Sequence, residues 1–466
     1  MQGIPYGTED FLMPIFEAIK LSGGMPYLVG GCVRDMFLRT TLKDYDIEVY
    51  GLTLSKLNEI LSKFSETVNI EKDCVIKIRY LDYDLDFALP RREIKEGDGH
   101  SDFKFLPDPF MLVEEASKRR DVTINSMLFN PFTKEIVDYH GGMRDLSLRL
   151  IRHTSDRFDE DPLRVLRIMQ FAGRFDFGVA EETSKRCASL FDKFGTISVE
   201  RVWIEFKKLL CSKKPSNGLK FLCDCGWIYH FTEIDKLRGL QQNPEWHPEG
   251  DVFNHTCHVL DYDVSGLVTL TDEEHLVYKL ACLCHDFGKA VTTIIEDGKI
   301  KSPGHEANAD DLIEHFLVRI GCPQKYFEPV KTLTRTHMYI AHVSGSINSR
   351  NVKRLLVKLR KGNVSFDQWF ALVYSDHMGR PPLNDIPKDL FKVKEVVSTM
   401  KLEKETIDPI IKGVDILELG FKEGPEVGRM IKLFYECQLN EEFKTRREAL
   451  DLYAERKLSW QVGSII

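Results

Sequence analysis

A chain of 466 residues that is 43% hydrophobic and 29% charged can bury the cores of about two to four domains. Its net charge of −8 excludes a strongly basic nucleic-acid coat, so any RNA contact must come from local patches and weaken with salt. No apolar run approaches the roughly 18 residues of a membrane span, and the N-terminus lacks the order of a secretory signal. The eleven cysteines fall mostly in apolar patterns, and the pairs Cys223/Cys225 and Cys282/Cys284 lack zinc-knuckle spacing. A cytoplasmic protein with reduced thiols and no membrane contact is the expectation.

In chain order, residues 8–22 read as a short amphipathic helix packing on a strand at 27–29. A Gly30-Gly31 turn and a helix carrying Arg34 follow, leaving backbone N–H groups open to an anion at the helix start. Residues 43–51 alternate strictly, so Asp44, Asp46 and Glu48 share one face of a strand and Tyr45, Ile47 and Val49 the other. Carboxylates at i and i+2 stand roughly 6.5 Å apart along a strand, which suits divalent ions shared beside a triphosphate. An exposed acidic edge is the plain alternative. A helix over 54–64 precedes a strand over 74–80, and 81–89 continues the alternation with Asp82, Asp84 and Asp86 on one face. Residues 96–102 (Glu-Gly-Asp-Gly-His-Ser-Asp) read as a loop.

Arg119-Arg120-Asp121-Val-Thr-Ile-Asn125 places two guanidinium forks beside a carboxylate, a set able to grip phosphate oxygens and a ribose hydroxyl. Capping of a helix by Asp121 and Thr123 is the alternative. Strands largely stop near 150. Asp161-Pro162 then opens a helix, with Asp161 and Arg164 three apart on one face and Val165, Ile168, Met169 and Ala172 toward the core. Capping of that helix by Asp161 is the plain alternative.

Gly-Gly-Cys-Val-Arg-Asp at 30–35, then Asp44-Tyr-Asp46, resembles the signature of the class II tRNA nucleotidyltransferase and bacterial poly(A) polymerase family. Arg119 to Ser126, the glycine-containing segment 138–146, Glu160-Asp161-Pro-Leu-Arg164 and Ser198-Val-Glu200-Arg201 are similar to that family's later motifs. The resemblance implies Asp44, Asp46 and Asp86 as catalytic carboxylates, the first two holding Mg²⁺. It also implies Gly31, Arg34, Arg120, Asp121 and Arg167 at the nucleotide, with Asp161 and Arg164 as an amino-acid template for the base. In that role the carboxylate accepts from the exocyclic amine of cytosine or adenine and the guanidinium donates to the unprotonated ring nitrogen beside it. Uracil and guanine invert both contacts, and a buried mismatch of that kind discriminates by about 10⁴ or more. Gln170 departs from the family, which often has Arg there, and takes no role. Glu200 and Arg201 are expected to brace the neck, and 138–146 to form a hinge.

Trp246-His-Pro-Glu-Gly-Asp-Val-Phe-Asn-His255 begins a different pattern, continued by Leu283-Cys-His285-Asp286, His305, His337 and Asp376. Imidazoles and carboxylates ordered on helices bind divalent transition ions. The order resembles the HD phosphohydrolase superfamily, implying His255, His285, Asp286 and Asp376 as ligands of an ion such as Ni²⁺ or Mn²⁺, with His305 and His337 available for a second. The fusion resembles multifunctional bacterial CCA-adding enzymes. A basic amphipathic helix over 350–362 offers phosphate contacts or a solvated face.

The expected fold is α+β: a nucleotidyltransferase head with a small mixed sheet (1–150), a helical neck and body (151–250), an all-helical HD domain (251–380) and a helical tail (381–466). The expected function is template-independent repair of the tRNA 3′ end from CTP and ATP, with a 2′,3′-cyclic phosphodiesterase and phosphatase in the HD domain, in a monomer or homodimer. The alternatives are a poly(A), CC-only or A-only enzyme of the same family, or an HD phosphohydrolase whose head only binds RNA.

Overall fold

The alternating stretch at Asp44–Tyr50 becomes a central strand of a mixed sheet. In this computed structural model the described residues are 10–40, 42, 44–71, 75–95, 103–399 and 408–462. The loop expected over 96–102 lies outside them. The chain forms two compact units: one reaches to Asp235 and includes Arg319–Cys322, and the other comprises Lys236–Val318 and the residues from Pro323 onward.

The first unit begins with α1 (Met13–Leu21), β1 (Met25–Val29), α2 (Gly31–Leu38), β2 (Asp44–Tyr50), α3 (Leu54–Leu61) and β3 (Val68–Ile70). Next come β4 (Val75–Tyr80), β5 (Tyr83–Ala88), β6 (Arg91–Lys95), β7 (Phe103–Pro107), α4 (Val113–Ser117), β8 (Leu128–Phe129) and β9 (Ile136–Val137). Seven strands form one sheet in the order β3-β4-β5-β2-β1-β8-β9, with β2 and β5 parallel and the other pairs antiparallel. Tyr45, Ile47 and Val49 are buried, as the alternation requires. The parallel register sets Asp44 beside Asp84 and Asp46 beside Asp86, so the acids of two strands share a face.

One strand expectation is corrected. Residues 74–89 are not one alternating run but a hairpin, in which Tyr80 pairs with Tyr83 across Leu81 and Asp82. Leu81 takes a left-handed φ of 54°, a conformation that turn glycines and asparagines usually supply. Asp82 therefore lies in the turn, outside the strand face.

The helical remainder of this unit holds α5 (Gly142–Ser147), a two-stranded pair β10 (Leu150–Ile151) and β11 (Gly178–Val179), α6 (Leu163–Phe175), α7 (Glu181–Ser189), α8 (Val199–Leu210), α9 (Pro215–Asp224) and α10 (Thr232–Asp235). The expected hinge at 138–146 is tied down: Asp138 accepts from the N–H groups of Gly142 and Met143, both at 2.9 Å. Helix α6 carries Arg164 and Arg167 and packs against α8 and α9, where a Cβ at Gly218 would stand 2.5 Å from the Met169 carbonyl oxygen.

The second unit is built on α11 (Val252–Asp261), α12 (Asp272–Cys284), α13 (Lys289–Thr292), the hairpin β12 (Ile294–Glu296) and β13 (Lys299–Lys301), α14 (Asp310–Arg319), α15 (Phe327–Thr336), α16 (Tyr339–Val343), α17 (Ser349–Lys361) and α18 (Phe366–Met378). Helices α11, α12, α15 and α18 surround its core. After α19 (Lys388–Thr399), α20 (Gly413–Glu418), α21 (Pro425–Leu439) and α22 (Arg446–Val462) share a core around Ile416, Phe434 and Tyr453. On the basic helix α17, Lys353 and Arg354 pair with Glu441 and Glu436, at 2.6 and 3.1 Å. These two cations dock the tail. No helix among the described residues is long and apolar enough to cross a membrane, and none of the described cysteines is in a disulfide.

Gly218→Ala must push α9 off α6. We expect a loss of about 1–3 kcal/mol in the unfolding transition that includes α6, read by denaturant titration. An unchanged midpoint contradicts this packing.

Candidate functional site

In the first unit, Gly30 turns the chain from β1 into α2 with a φ of 74°. A Cβ there would lie 3.1 Å from Arg120 Nη1 and 3.6 Å from the Asp46 carboxylate, so the bare turn lets both side chains approach the helix start. A cavity of about 330 Å³ opens beside it, lined by Gly30, Gly31, Asp46, Arg120, Asp121, Asn125, Asp161, Leu163, Arg164, Arg167 and Arg201.

Three carboxylates paired with arginines shape this cavity. Glu48, buried next to Asp46 on β2, accepts from Arg119 at 2.7 Å, Arg120 at 3.4 Å and the Tyr50 hydroxyl at 3.0 Å. Burial alone would raise its carboxyl; Arg120 and Arg119 bring it below the usual range. Asp121 takes Arg167 through both Nε and Nη2, each at 2.7 Å, and its other oxygen accepts from Val122 N–H and Asn125. Asp161 accepts from Arg201 at 2.7 Å and from Leu163 N–H at 3.1 Å. Arg164 donates to the carbonyls of Arg157 and Arg119, at 2.5 and 2.7 Å, which fixes its plane and leaves other N–H donors of its fork for a ligand.

The acids on the sheet face are under strain of a different kind. Burial pushes the Asp46 carboxyl up, and the charges of Asp86 and Asp44 push it further against Arg120. Asp86 is also raised, first by burial, despite Lys77 at 3.6 Å. Crowded carboxylates with oxygen donors only are what a hard divalent cation relieves, so the set fits Mg²⁺.

Two placements differ from the sequence expectation. Arg34 does not line the cavity: it is 3% exposed, gripping Asp35 through Nε and Nη2 at 2.8 and 2.9 Å, bonding Asn125, and lying over the Phe175 ring. It orients Asn125 from behind. Arg201 does not brace the neck through Glu200 but reaches Asp161 in the cavity wall. Asn125, given no role, and Arg201, expected in the neck, are polar wall residues that sequence reasoning did not place at the cavity.

In the second unit, His255 on α11, His285 and Asp286 after α12, His305, His337 after α15, and Asp376 on α18 converge. Each imidazole turns Nδ1 to an oxygen: His255 to Glu249 at 2.8 Å, His285 to the Cys282 carbonyl at 2.9 Å, His305 to that of Ser302 at 3.0 Å, and His337 to that of Thr334 at 2.7 Å. Those acceptors suit a proton on Nδ1, which turns the four Nε2 atoms inward as donors to a metal. His255 and His285 then face each other at 3.3 Å, and His305 and His337 at 3.2 Å. Opposed lone pairs at that range call for a cation between them, and nitrogen with carboxylate donors fits a divalent transition ion. Asp286 serves both pairs, with Oδ2 3.3 Å from His285 and Oδ1 3.3 Å from His305, while Asp376 stands 3.0 Å from His255.

Burial lowers His337 to about 3, with His305 and His285 adding. Asp286 and Asp376 resist the upward push of burial through His285 and Lys289 in one case and Arg380 and His255 in the other, ending well below the usual range. Lys289 lies 2.7 Å from Asp286, and Arg380 2.8 Å from Asp376. Their i+3 and i+4 spacings were the available sequence signal for these two. His247 and Glu249, which adjoin His255, were quoted in the motif without a role. His247, Asp286, Lys289, His305, His337, Asp376 and Arg380 line a cavity of about 780 Å³.

The Poly A polymerase head domain family matches residues 26–152, and the family described as the probable RNA and SrmB-binding site of polymerase A matches 176–237. A multifunctional CCA protein of Cupriavidus necator is 33% identical over 339 residues, 71% of this chain and 79% of its own. One from an Acidovorax species is 31% identical over 415 residues, 87% of this chain and 93% of its own. The crystal structure of the Bacillus stearothermophilus CCA-adding enzyme in complex with CTP superposes with a TM-score of 0.66 at 19% identity, over 96% of this chain and 98% of that one, and shares its fold.

The Glu48 pair predicts a pH-dependent stability. Its folded pKa lies below the ordinary 4.5, so its contribution is complete above that value and is lost as pH falls through the depressed one. Glu48→Gln leaves two guanidinium groups short of an anion and is expected to cost about 3 kcal/mol near pH 7. The gap to the parent should begin to close as pH falls below 4.5 and vanish once pH is under the depressed value, in denaturant titrations. A gap that stays constant with pH contradicts the pairing.

Proposed function

The chain belongs to the tRNA nucleotidyltransferase family of multifunctional CCA proteins, and from that premise we propose that it rebuilds the CCA end of tRNA from CTP and ATP and hydrolyses phosphoesters at a second, HD-type site. The observation that carries the first activity is the meeting of Asp46, Asp161 and Arg164 on one cavity.

Asp44, Asp46 and Asp86 would hold Mg²⁺, which when bound supplies Lewis-acid activation of the attacking hydroxyl and neutralises the leaving pyrophosphate. Arg120 and Arg167 receive the triphosphate, and Asp121 keeps Arg167 in place. The tRNA 3′-oxygen bonds to the α-phosphorus, the bond to the oxygen bridging to the β-phosphate breaks to release pyrophosphate, and Asp86 takes the hydroxyl proton. Asp161, steadied by Arg201, accepts from the exocyclic amine of cytosine or adenine, and Arg164 donates to the adjacent ring nitrogen. No nucleic-acid template is needed because the wall itself presents the complementary edge.

At the second site, His255, His285, Asp286 and Asp376 would hold one transition ion, and Asp286 with His305 and His337 another. Such ions supply a water acidic enough to act near neutral pH. Lys289 and Arg380 keep Asp286 and Asp376 ionised and offer positive charge to the phosphate. Hydrolysis of a 2′,3′-cyclic end joins the water oxygen to phosphorus, breaks one ring P–O bond and passes the water proton to the released ribose oxygen.

The two activities separate by mutation. With tRNA lacking its CCA end, Asp46→Asn should lower nucleotide addition by about three orders of magnitude and spare cyclic-phosphate opening. His285→Ala should do the reverse. Addition that survives Asp46→Asn contradicts the head assignment, and opening that survives His285→Ala contradicts the second.

A further inference from the structure

The wall of the second cavity includes a residue that metal-assisted hydrolysis does not use. Trp246 adjoins His247, whose ring lies 4.9 Å from that of His255, yet its side chain is 60% exposed. A large aromatic left in water at a cavity mouth is an unusual expense of apolar surface. The loop holding it is fixed: Trp246 N–H donates to the Asn243 carbonyl at 3.1 Å, Asn243 Oδ1 accepts from Glu245 N–H at 3.0 Å, and Val252 N–H closes the loop on Leu240 at 3.0 Å. Two cations of the hairpin β12–β13, Lys299 and Lys301, line the same cavity. Lys301 pairs with Glu296 at 2.7 Å, while Lys299 is exposed with no ion partner among the described residues. An exposed ring on a hydrogen-bonded loop, lining one cavity with two lysines, is the make-up of a single-strand nucleic-acid platform, where a base stacks and cations follow the backbone.

We propose that Trp246 and the hairpin lysines set substrate preference at the second site, the base of a 3′-terminal nucleotide stacking on Trp246 and the preceding phosphate meeting Lys299 and Lys301. This rests on the phosphohydrolase reading above and names the residues that select among its phosphoesters. The cavity volume of about 780 Å³ accommodates a nucleotide. The metal cluster needs only a phosphoester, so the ring and the lysines set which phosphoester is used well.

The test compares three substrates on the full chain: an RNA with a 2′,3′-cyclic phosphate end, a 2′,3′-cyclic mononucleotide, and bis(4-nitrophenyl) phosphate. Trp246→Ala should lower kcat/KM for both base-bearing substrates, relative to the nitrophenyl ester, by about tenfold or more through KM, and Trp246→Phe should restore most of it. Lys299→Ala with Lys301→Ala should lower the RNA alone, and less at high salt. As a readout apart from turnover, RNA ending in 5-iodouridine and a hydrolysis-resistant phosphorothioate should photo-crosslink to Trp246. An equal loss on all three substrates, no loss on any, or crosslinks only elsewhere overturns the platform while leaving the phosphohydrolase standing. A parent protein inactive on all three overturns the phosphohydrolase reading and the platform with it.

Discussion

The bidentate pair between Asp121 and Arg167 is the constraint on which the first unit's cavity depends. Asp121 follows two arginines that are themselves anchored to Glu48 on the central strand, and Arg167 lies one helical turn beyond Arg164. One tripeptide therefore fastens the sheet to α6. The pair is buried on the carboxylate side, and losing one partner of such a pair typically costs about 3–5 kcal/mol. That is enough to fix where α6 begins, and with it Asp161 and Arg164. The Arg119 carbonyl then completes the arrangement by taking an N–H of Arg164, so the segment that meets the strand acids also aims the side chain proposed to read the base.

The two cavities solve the problem of like charges in opposite ways. On the sheet, Asp44, Asp46 and Asp86 are brought together by strand register, and burial with mutual repulsion raises two of them. In the helical unit, the carboxylates are held ionised by Lys289 and Arg380, and the unmet demand falls on imidazole lone pairs turned inward by backbone carbonyls. Oxygen-only donors suit a hard ion, and nitrogen with oxygen suits a transition ion. The donor chemistry thus separates the cations the two sites would hold.

Much of this was legible in the sequence because it rests on short-range periodicity. Alternation over 44–50 placed Asp44 and Asp46 on one face, and ordered His and Asp residues on helices pointed to a cluster. What stayed hidden is long-range or unsignalled. The turn at Leu81 and Asp82 lacks the glycine or asparagine that marks a tight hairpin, so one strand was expected where two exist. Arg34 shares its motif with the glycine turn, but only the fold shows that Asp35, Asn125 and Phe175 surround it. Arg201 is 40 residues from Asp161, and no local spacing announces that pairing. Lys289 and Arg380 sit beside expected ligands, but a basic residue one turn along a helix also commonly faces solvent.

The account's central claim is that side chains, with no nucleic-acid template, choose the incoming base. The direct measurement is single-turnover incorporation of each of the four nucleotides onto CCA-less tRNA by Arg164→Ala. Discrimination against UTP and GTP should fall from about 10⁴ toward unity, with triphosphate affinity changed far less. Misincorporation that stays at the parent's level would contradict it.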